Sequence, residues 1–405
     1  MSAGERIMNK PLQGVRIADF TVHAAGPFST HLLALMGAEC IKVETTKRLD
    51  VFRKPHPVYG RMEAASFAQV AANKKSVQIN LKEPRGVELA KRLVAVSDMM
   101  CESFRPGVME RLGLGYTALK AVKPDIVMLS VSACGQTGPE RSYAGYAPLF
   151  GATGGVGTLT GYKDGPPVEL RHVMDHSSGL NAAAVALAAL YRKKRTGLGQ
   201  HVDLAAREVA TSFIGDALLQ FSATGTAPGR QGNDAANKAP HNVYPCAGKD
   251  CWVSIAVTTD MEWRGLAGAL GRPDWLTNPK YAEAVTRWLN RKDLDTEVAA
   301  WTRDRKREDV TRILQAAGVA AFPSFTSQDI VDDPHLNQRG AIQSLSGPEG
   351  QSRKVVGPPW LFSRTPGSLD TWTPKLGEHN HYVFGELLGL TRDEIDTLIR
   401  EKVIY

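Results

Sequence analysis

Through its first 135 residues the chain alternates short apolar runs with longer stretches whose apolar positions recur every three or four residues. Residues 15–20, 40–44, 77–81, 98–104 and 125–132 are predicted strands, the last an almost unbroken apolar run. Between them, residues 27–36 are a predicted helix that closes near Gly37. Pro84 opens another, with Val87, Ala90, Leu93 and Val94 on one face. Apolar strands separated by helices imply a parallel sheet covered on both sides. The fold class expected is α/β: a Rossmann-like, doubly wound parallel sheet.

No nucleotide fingerprint goes with this pattern. The Gly-rich stretch 151–157 has neither a GxGxxG after a strand nor the Lys-Ser/Thr ending of a P-loop, and reads as close backbone packing or a flexible loop. Residues 223–243, rich in Gly, Ala, Asn, Pro and basic side chains, read as a linker or lid. A smaller α+β domain is expected over 244–325, with a strand at 251–257, helices at 260–270, 281–288, 294–301 and 306–317, and an extended segment at 318–325. The segment 326–405 is expected to return to the large domain begun by residues 1–222. It ends in a helix over 391–400 that Thr391 and Glu394 open as a capping box.

Composition adds bounds. The 405 residues, 43% hydrophobic and 22% charged, are ordinary for a soluble globular enzyme of about two or three domains. A net charge of +7 favours anionic partners. The basic residues are dispersed, however, and the one tight cluster, 192–195, sits at the end of an Ala-rich helix where cations suit the dipole and Gly197 supplies the cap. Small phosphorylated molecules fit this distribution better than nucleic acid. Cys40, Cys101, Cys134, Cys246 and Cys251 form no CxxC pair, which points to free thiols in a reducing compartment. Cys246 and Cys251 lack His ligands at a useful spacing, so no metal site is expected. Residues 1–11 are polar rather than a signal sequence, and the longest apolar stretch, 180–191, is too short to span a bilayer. A cytoplasmic protein without membrane partners is the expectation.

The candidate for chemistry is Asp175, in the run 171–180 just ahead of the Ala-rich stretch. The context reads as a loop entering a buried helix, with Ser177 or Ser178 as N-cap. A carboxylate there feels the positive end of the helix dipole, stays ionised and can act as a nucleophile. Taken alone, the same residue reads more readily as a cap or a solvated loop acid.

Several further segments bear on that choice. They are 14–21 followed by Ala25-Gly26-Pro27, then 37–44, 72–76, 102–107, Arg111-Leu112-Gly113, 135–139, 196–200 and Asp333-Pro334-His335. In this order they resemble the class III coenzyme A transferase family, the group that includes formyl-CoA:oxalate and carnitine CoA-transferases. The resemblance runs over nearly the whole chain and implies an interlocked dimer, either a homodimer or a heterodimer with a related subunit. It places Asp175 at the position of the family's catalytic aspartate. It also implies CoA contacts from His23, Ala24 and Ala25, from Lys74, from Ser103 and Phe104, and from Arg111. Lys74 and Arg111 suit phosphates, and Phe104 suits an adenine face. The chain departs from the family pattern at Thr45-Thr46, where relatives often carry Arg; Lys47 and Arg48 are the expected substitutes. It departs again at 229–242, which lacks a glycine run; within it, 229–237 is the lid candidate.

The implied reaction moves CoA from an acyl-CoA to a carboxylic acid through an aspartyl-CoA thioester. CoA is then a substrate, and no tightly bound cofactor is expected. Succinyl-CoA is the expected donor and an aromatic or branched dicarboxylic acid the expected acceptor. Arg53, Arg61 and Arg171 would suit a dicarboxylate, Trp252, Trp263 and Trp360 either an acid pocket or the core, and loops near Gly135 or Gly154 an oxyanion. An acyl-CoA racemase of the same superfamily is the competing reading. The segment 144–148 lacks the His-Asp of racemase-like relatives, while His172 and His176 beside Asp175 keep that reading in view. A third reading is a non-catalytic CoA-binding subunit.

Overall fold

Six strands pair in parallel: β1 (Arg16–Phe20), β2 (Glu39–Glu44), β3 (Lys74–Gln78), β4 (Met99–Glu102), β5 (Val127–Ser132) and β6 (Gln200–Ala205). Their order in the sheet is β3-β2-β1-β4-β5-β6. The computed structural model describes residues 10–54, 63–170, 173–348, 350 and 352–405. This order is doubly wound, with its topological switch between β1 and β4. β6 was not among the predicted strands. It is an edge strand whose first residues alternate between half-buried and exposed, so it carries no apolar run.

Strand alternation sends Ala18, Phe20, Ile41, Val43 and Val77 to one face, where the helix Pro84–Ala95 covers them with Leu89 and Leu93. Ile17, Cys40, Met99, Cys101 and Leu129 point to the other. That face is covered by the helix Ala25–Leu35 and by the long helix Val173–Thr196, which contributes Ala182, Ala186 and Ala189. The alanines let the two helices approach closely: a Cβ on Gly179 would lie 2.7 Å from the Ala25 carbonyl oxygen.

Toward the C-terminal end of the sheet this second face turns polar. Asp19 of β1 lies in register with Lys42 of β2, and Lys42 with Ser76 of β3. The Asp19 carboxylate, fully buried, accepts from Lys74 Nζ at 2.9 Å, Thr30 Oγ1 at 2.7 Å and the Thr21 backbone N–H at 2.9 Å, and also from the Thr21 hydroxyl. Burial opposes its ionisation, but Lys74 and Lys42 outweigh that and hold the carboxyl below its ordinary range. Lys74 also donates to the Pro27 carbonyl at 2.8 Å and to Thr30 Oγ1 at 2.6 Å. All its donors are thus spent inside the protein, and its side chain is inaccessible. The expectation that Lys74 binds a CoA phosphate is therefore corrected. Arg53, expected to serve a dicarboxylate, is likewise engaged: it grips Glu44 with two bonds of 2.7 Å and lies over the Phe67 ring.

The outer edge of β3 is covered by the C-terminal segment. Ser76 N–H donates to His379 Nδ1 at 3.2 Å, His379 N–H to the Ser76 carbonyl at 2.9 Å, and Gln78 N–H to Asn380 Oδ1 at 2.9 Å. The helix Arg392–Arg400 has the predicted capping box, and its Leu398 joins the first core face.

By its contacts the chain divides into one unit of Met1–Gly157, Glu169–Thr226 and Pro334–Tyr405, and another of Thr158–Val168 and Ala227–Asp333. The smaller unit holds the antiparallel sheet β7 (His241–Pro245), β8 (Trp252–Ala256) and β9 (Ala320–Pro323). Trp263 and Trp275 stack in its core at 5.4 Å. The unit begins near Ala227 rather than at 244, because the presumed linker belongs to it. Arg230 donates to the carbonyls of Thr158, Tyr162 and Gly165, Asp234 pairs with Arg291 and Lys292, and the Ala235 carbonyl accepts from Trp288. In the larger unit, β10 (Ile342–Ser346) and β11 (Ser352–Val356) form a separate hairpin.

Replacing Lys74 by Met leaves Asp19 buried without its cation, which should cost about 3–5 kcal/mol. Denaturant unfolding of the variant checks this. A loss under ~1 kcal/mol would show that the pair does not organise this face.

Candidate active site

In an open α/β sheet the crevice outside the carboxyl ends of the strands, at the switch point, is where ligands bind. Here that position is a cleft of about 1280 Å³. Its lining comes from the turn after β1, the loop after β4, the end of β5 and the start of the helix Val173–Thr196.

The turn after β1 is built on Asp19, which fixes Thr21. Val22 N–H then donates to Ser103 Oγ at 2.9 Å, and Ser103 Oγ donates to the Val22 carbonyl at 3.1 Å, joining the loops of the two switch strands. His23 adopts a left-handed φ of 66°, unusual for a residue with a side chain. Gly26 cannot be replaced without displacement, since a Cβ there would lie 2.7 Å from Thr21 Cγ2 and 3.0 Å from Ser103 Cβ. His23, Ala24 and Ala25 line the cleft, as do Ser103 and Phe104. Burial holds the His23 imidazole below its ordinary range; Asp50 opposes this and Arg48 and Lys42 reinforce it, which favours the neutral form.

Asp175 lines the same cleft. The helix starts at Val173, so Asp175 lies within its first turn rather than ahead of it. Ser177 and Ser178 are helical and are not the N-cap, which corrects that expectation. The dipole argument is unchanged, because its effect is felt throughout the first turn. Asp175 and Gly179 are four residues apart and share a helix face. Gly179 is the point of close approach to Ala25, and His176, which follows Asp175, meets the Phe28 ring edge-on at 4.6 Å. The carboxylate and the His23–Ala25 turn are therefore positioned by one helix–helix contact.

Charge around the cleft is unequal. Lys42, Lys47, Arg48, Lys82, Arg105 and Arg141 line it, against Glu44, Asp50 and Asp175. Lys42 is committed to the Thr21 carbonyl at 2.7 Å and to Asp50 at 3.4 Å. The other five cations are exposed and suit polyanionic ligands. Lys47 and Arg48, the expected substitutes for the family arginine, are among them.

Other expected residues lie elsewhere. Arg111 is exposed on the short helix Val108–Arg111 and does not line the cleft. Neither do Gly135, Gly154, Trp252, Trp263 or Trp360. Gly154 serves close packing, as a Cβ there would lie 2.4 Å from that of Ala210. Arg61, Arg171 and His172 lie outside the described residues.

Sequence reasoning assigned no role to Glu102, the last residue of β4. Its Oε2 accepts from Phe104 N–H at 2.7 Å and so shapes the loop that carries Ser103 and Phe104. Burial pushes the Glu102 carboxyl up to about 7; Ser130 and the Phe104 N–H oppose this, while Glu110 and Asp203 add to it. The signal available in the sequence was alternation, which puts Glu102 on the core side with Met100.

The solved structure of a CAIB/BAIF family protein from Brucella suis superposes with a TM-score of 0.85 at 31% identity, over 94% of this chain and 100% of that one. A doubly wound sheet with a carboxylate at its switch point is thus set in a CAIB/BAIF-type architecture. Residues 12–380 match CoA-transferase family III, and the chain belongs to that family of enzymes. It is 36% identical to succinyl-CoA–D-citramalate CoA-transferase of Chloroflexus aurantiacus over 98% of both chains. To the beta subunit of that organism's succinyl-CoA–L-malate CoA-transferase it is 32% identical, over 97% of this chain and 98% of the other. No helix among the described residues is long and apolar enough to cross a membrane.

A raised carboxyl pKa has a definite sign in stability. The native state holds the Glu102 proton more tightly than the unfolded chain, whose carboxyl titrates near 4.5. Stability is therefore lost as pH rises from that value to about 7, by roughly 3 kcal/mol, and is flat above. Glu102→Gln should remove this component, so the variant gains on the wild type in melting temperature between pH 5 and pH 8. An equal difference at both pH values counts against the assignment.

Proposed function

We propose that the chain transfers CoA from succinyl-CoA to a branched or aromatic dicarboxylic acid, with Asp175 as the covalent carrier. The observation behind this reading is the position of Asp175, in the first turn of a long helix and in the lining of the cationic switch-point cleft. The relatives' names support the donor, and that of D-citramalate, a branched dicarboxylate, supports the acceptor class.

The chemistry explains why an aspartate suits the role. Its carboxylate attacks the donor thioester, forming a mixed anhydride and releasing the CoA thiolate. The thiolate attacks the aspartyl carbonyl, which leaves an aspartyl-CoA thioester and frees the donor acid. The acceptor carboxylate then attacks the aspartyl thioester, giving a second mixed anhydride and thiolate. Attack of the thiolate on the acceptor carbonyl yields the new acyl-CoA and regenerates Asp175. No water is consumed, so the thioester energy is kept. A Ser or Cys nucleophile would take up the acyl group and could not itself receive CoA. The phosphates of CoA are assigned to the exposed cations Lys47, Arg48, Lys82 and Arg105, and its adenine to Phe104. The turn His23–Ala25 and Ser103 contact the remainder.

We also assign a two-chain assembly, of two copies or of this chain with a related subunit. The helix Gly215–Thr224 buries no residue, and leaves Leu218, Leu219 and Phe221 about half exposed or more. Such an apolar surface marks an interaction site.

Incubation with a panel of acyl-CoAs followed by hydroxylamine should convert the aspartyl thioester to a hydroxamate. Peptide mass spectrometry should find it at Asp175, and Asp175→Asn should lose it together with about 10³-fold or more in turnover. A hydroxamate at another residue, or none with any donor, would end this reading, and α-proton exchange in deuterated water would then test racemisation.

A further inference from the structure

Three serines lie on β5 or just after β4, and they differ in how their hydroxyls are satisfied. Ser103 is bonded on both sides to Val22. Ser130 Oγ lies 2.9 Å from His201 Nε2 and also reaches Glu102. Ser132 is 8% exposed, and its buried Oγ has no hydrogen-bond partner among the described residues. Of the three hydroxyls, Ser132's belongs to a side chain that lines the cleft with Asp175 and has no protein partner to hold it.

A buried hydroxyl without a partner destabilises the fold, and in native proteins such a group calls for an explanation. At an enzyme's ligand cleft the explanation available is a partner that comes with the ligand. The surroundings agree with this. Ser132 is the last residue of β5, held by parallel pairing to Ala205 of β6. The next residue, Ala206, also lines the cleft. Ser132 and Ala206 both have small side chains, and a hydroxyl on a strand end is better fixed than one on a loop.

We propose that Ser132 is a substrate-contacting residue whose Oγ–H donates to an oxygen of the acyl group in transfer. The inference rests on CoA transfer at Asp175. When a nucleophile adds to the acyl carbon, its carbonyl oxygen gains negative charge, and a donor fixed beside it favours that state over the ground state. The hydrogen bond strengthens and relaxes without proton transfer, and no bond to Ser132 forms at any step.

The test measures the rate of hydroxamate formation at Asp175 with succinyl-CoA, or with the fastest donor of the panel. Wild type, Ser132→Ala, Ser132→Thr and Asp175→Asn are compared, and CoA affinity and melting temperature are read on the same preparations. Ser132→Ala should slow adduct formation roughly 10- to 100-fold. Its CoA affinity should be unchanged and its melting temperature equal or higher, because an unsatisfied hydroxyl has been removed. Ser132→Thr should restore most of the rate. A wild-type rate in Ser132→Ala, with Asp175→Asn inactive, overturns this inference alone. So does a rate loss in Ser132→Ala that comes with lower stability and weaker CoA binding. An adduct that persists in Asp175→Asn, or none in wild type, removes the underlying reading as well.

Discussion

The larger unit is organised around one buried carboxylate. Asp19 accepts four hydrogen bonds, and each comes from a different part of the site's framework or fixes a different feature of it. Two set the turn after β1 through Thr21, one holds the helix Ala25–Leu35 through Thr30, and one joins β3 through Lys74. An ion pair in so dry a place is a poor source of net stability, because desolvation offsets most of the attraction. Its effect is to specify geometry. The carboxylate is satisfied only when strand, turn and helix hold one arrangement, and that arrangement puts the left-handed His23 at the mouth of the switch-point crevice.

From this follows a separation between charge that builds the site and charge that faces it. Lys42, Lys74 and Arg53 are each matched to a buried carboxylate, whereas Lys47, Arg48, Lys82, Arg105 and Arg141 remain toward solvent around the cleft. The first group is expensive to disturb. The second keeps its flexibility and its capacity for polyanions. The carboxylate of Asp175 lines the same cleft, with its own helix start favouring the charged form.

Much of this was legible in the amino-acid sequence. Apolar runs separated by amphipathic helices suffice to give a parallel doubly wound sheet, and five of its six strands could be read that way. β6 escaped because an edge strand with exposed alternate positions lacks the apolar run. That Asp175 sits near the start of an Ala-rich helix was readable, although the helix begins earlier than the serines suggested. Lys74 was misread for a physical reason: nothing local marks a lysine as buried, and its partner Asp19 is 55 residues away in the chain. Arg53 was misread although its partner Glu44 lies only nine residues away, because the pairing forms only in the folded chain; Glu102 and Ser132 likewise depend on what tertiary structure brings to them or withholds. The presumed linker at 223–243 failed differently. Its polar composition reflects side chains that bind carbonyls and carboxylates of their own unit, which composition alone does not separate from mobility.

The covering of β3 sets a condition on the order of events during synthesis. The groups that occupy its outer edge, His379 and Asn380, lie 303 and 302 residues downstream of the backbone they bind. On the ribosome the parallel sheet therefore has all six strands available while one flank is still bare, a template for pairing with any neighbouring extended chain. Synthesis of the segment around His379 closes it. A nascent polypeptide halted before that segment would carry a nearly complete scaffold with an adhesive side, and that makes the segment a solubility determinant as well as a structural one.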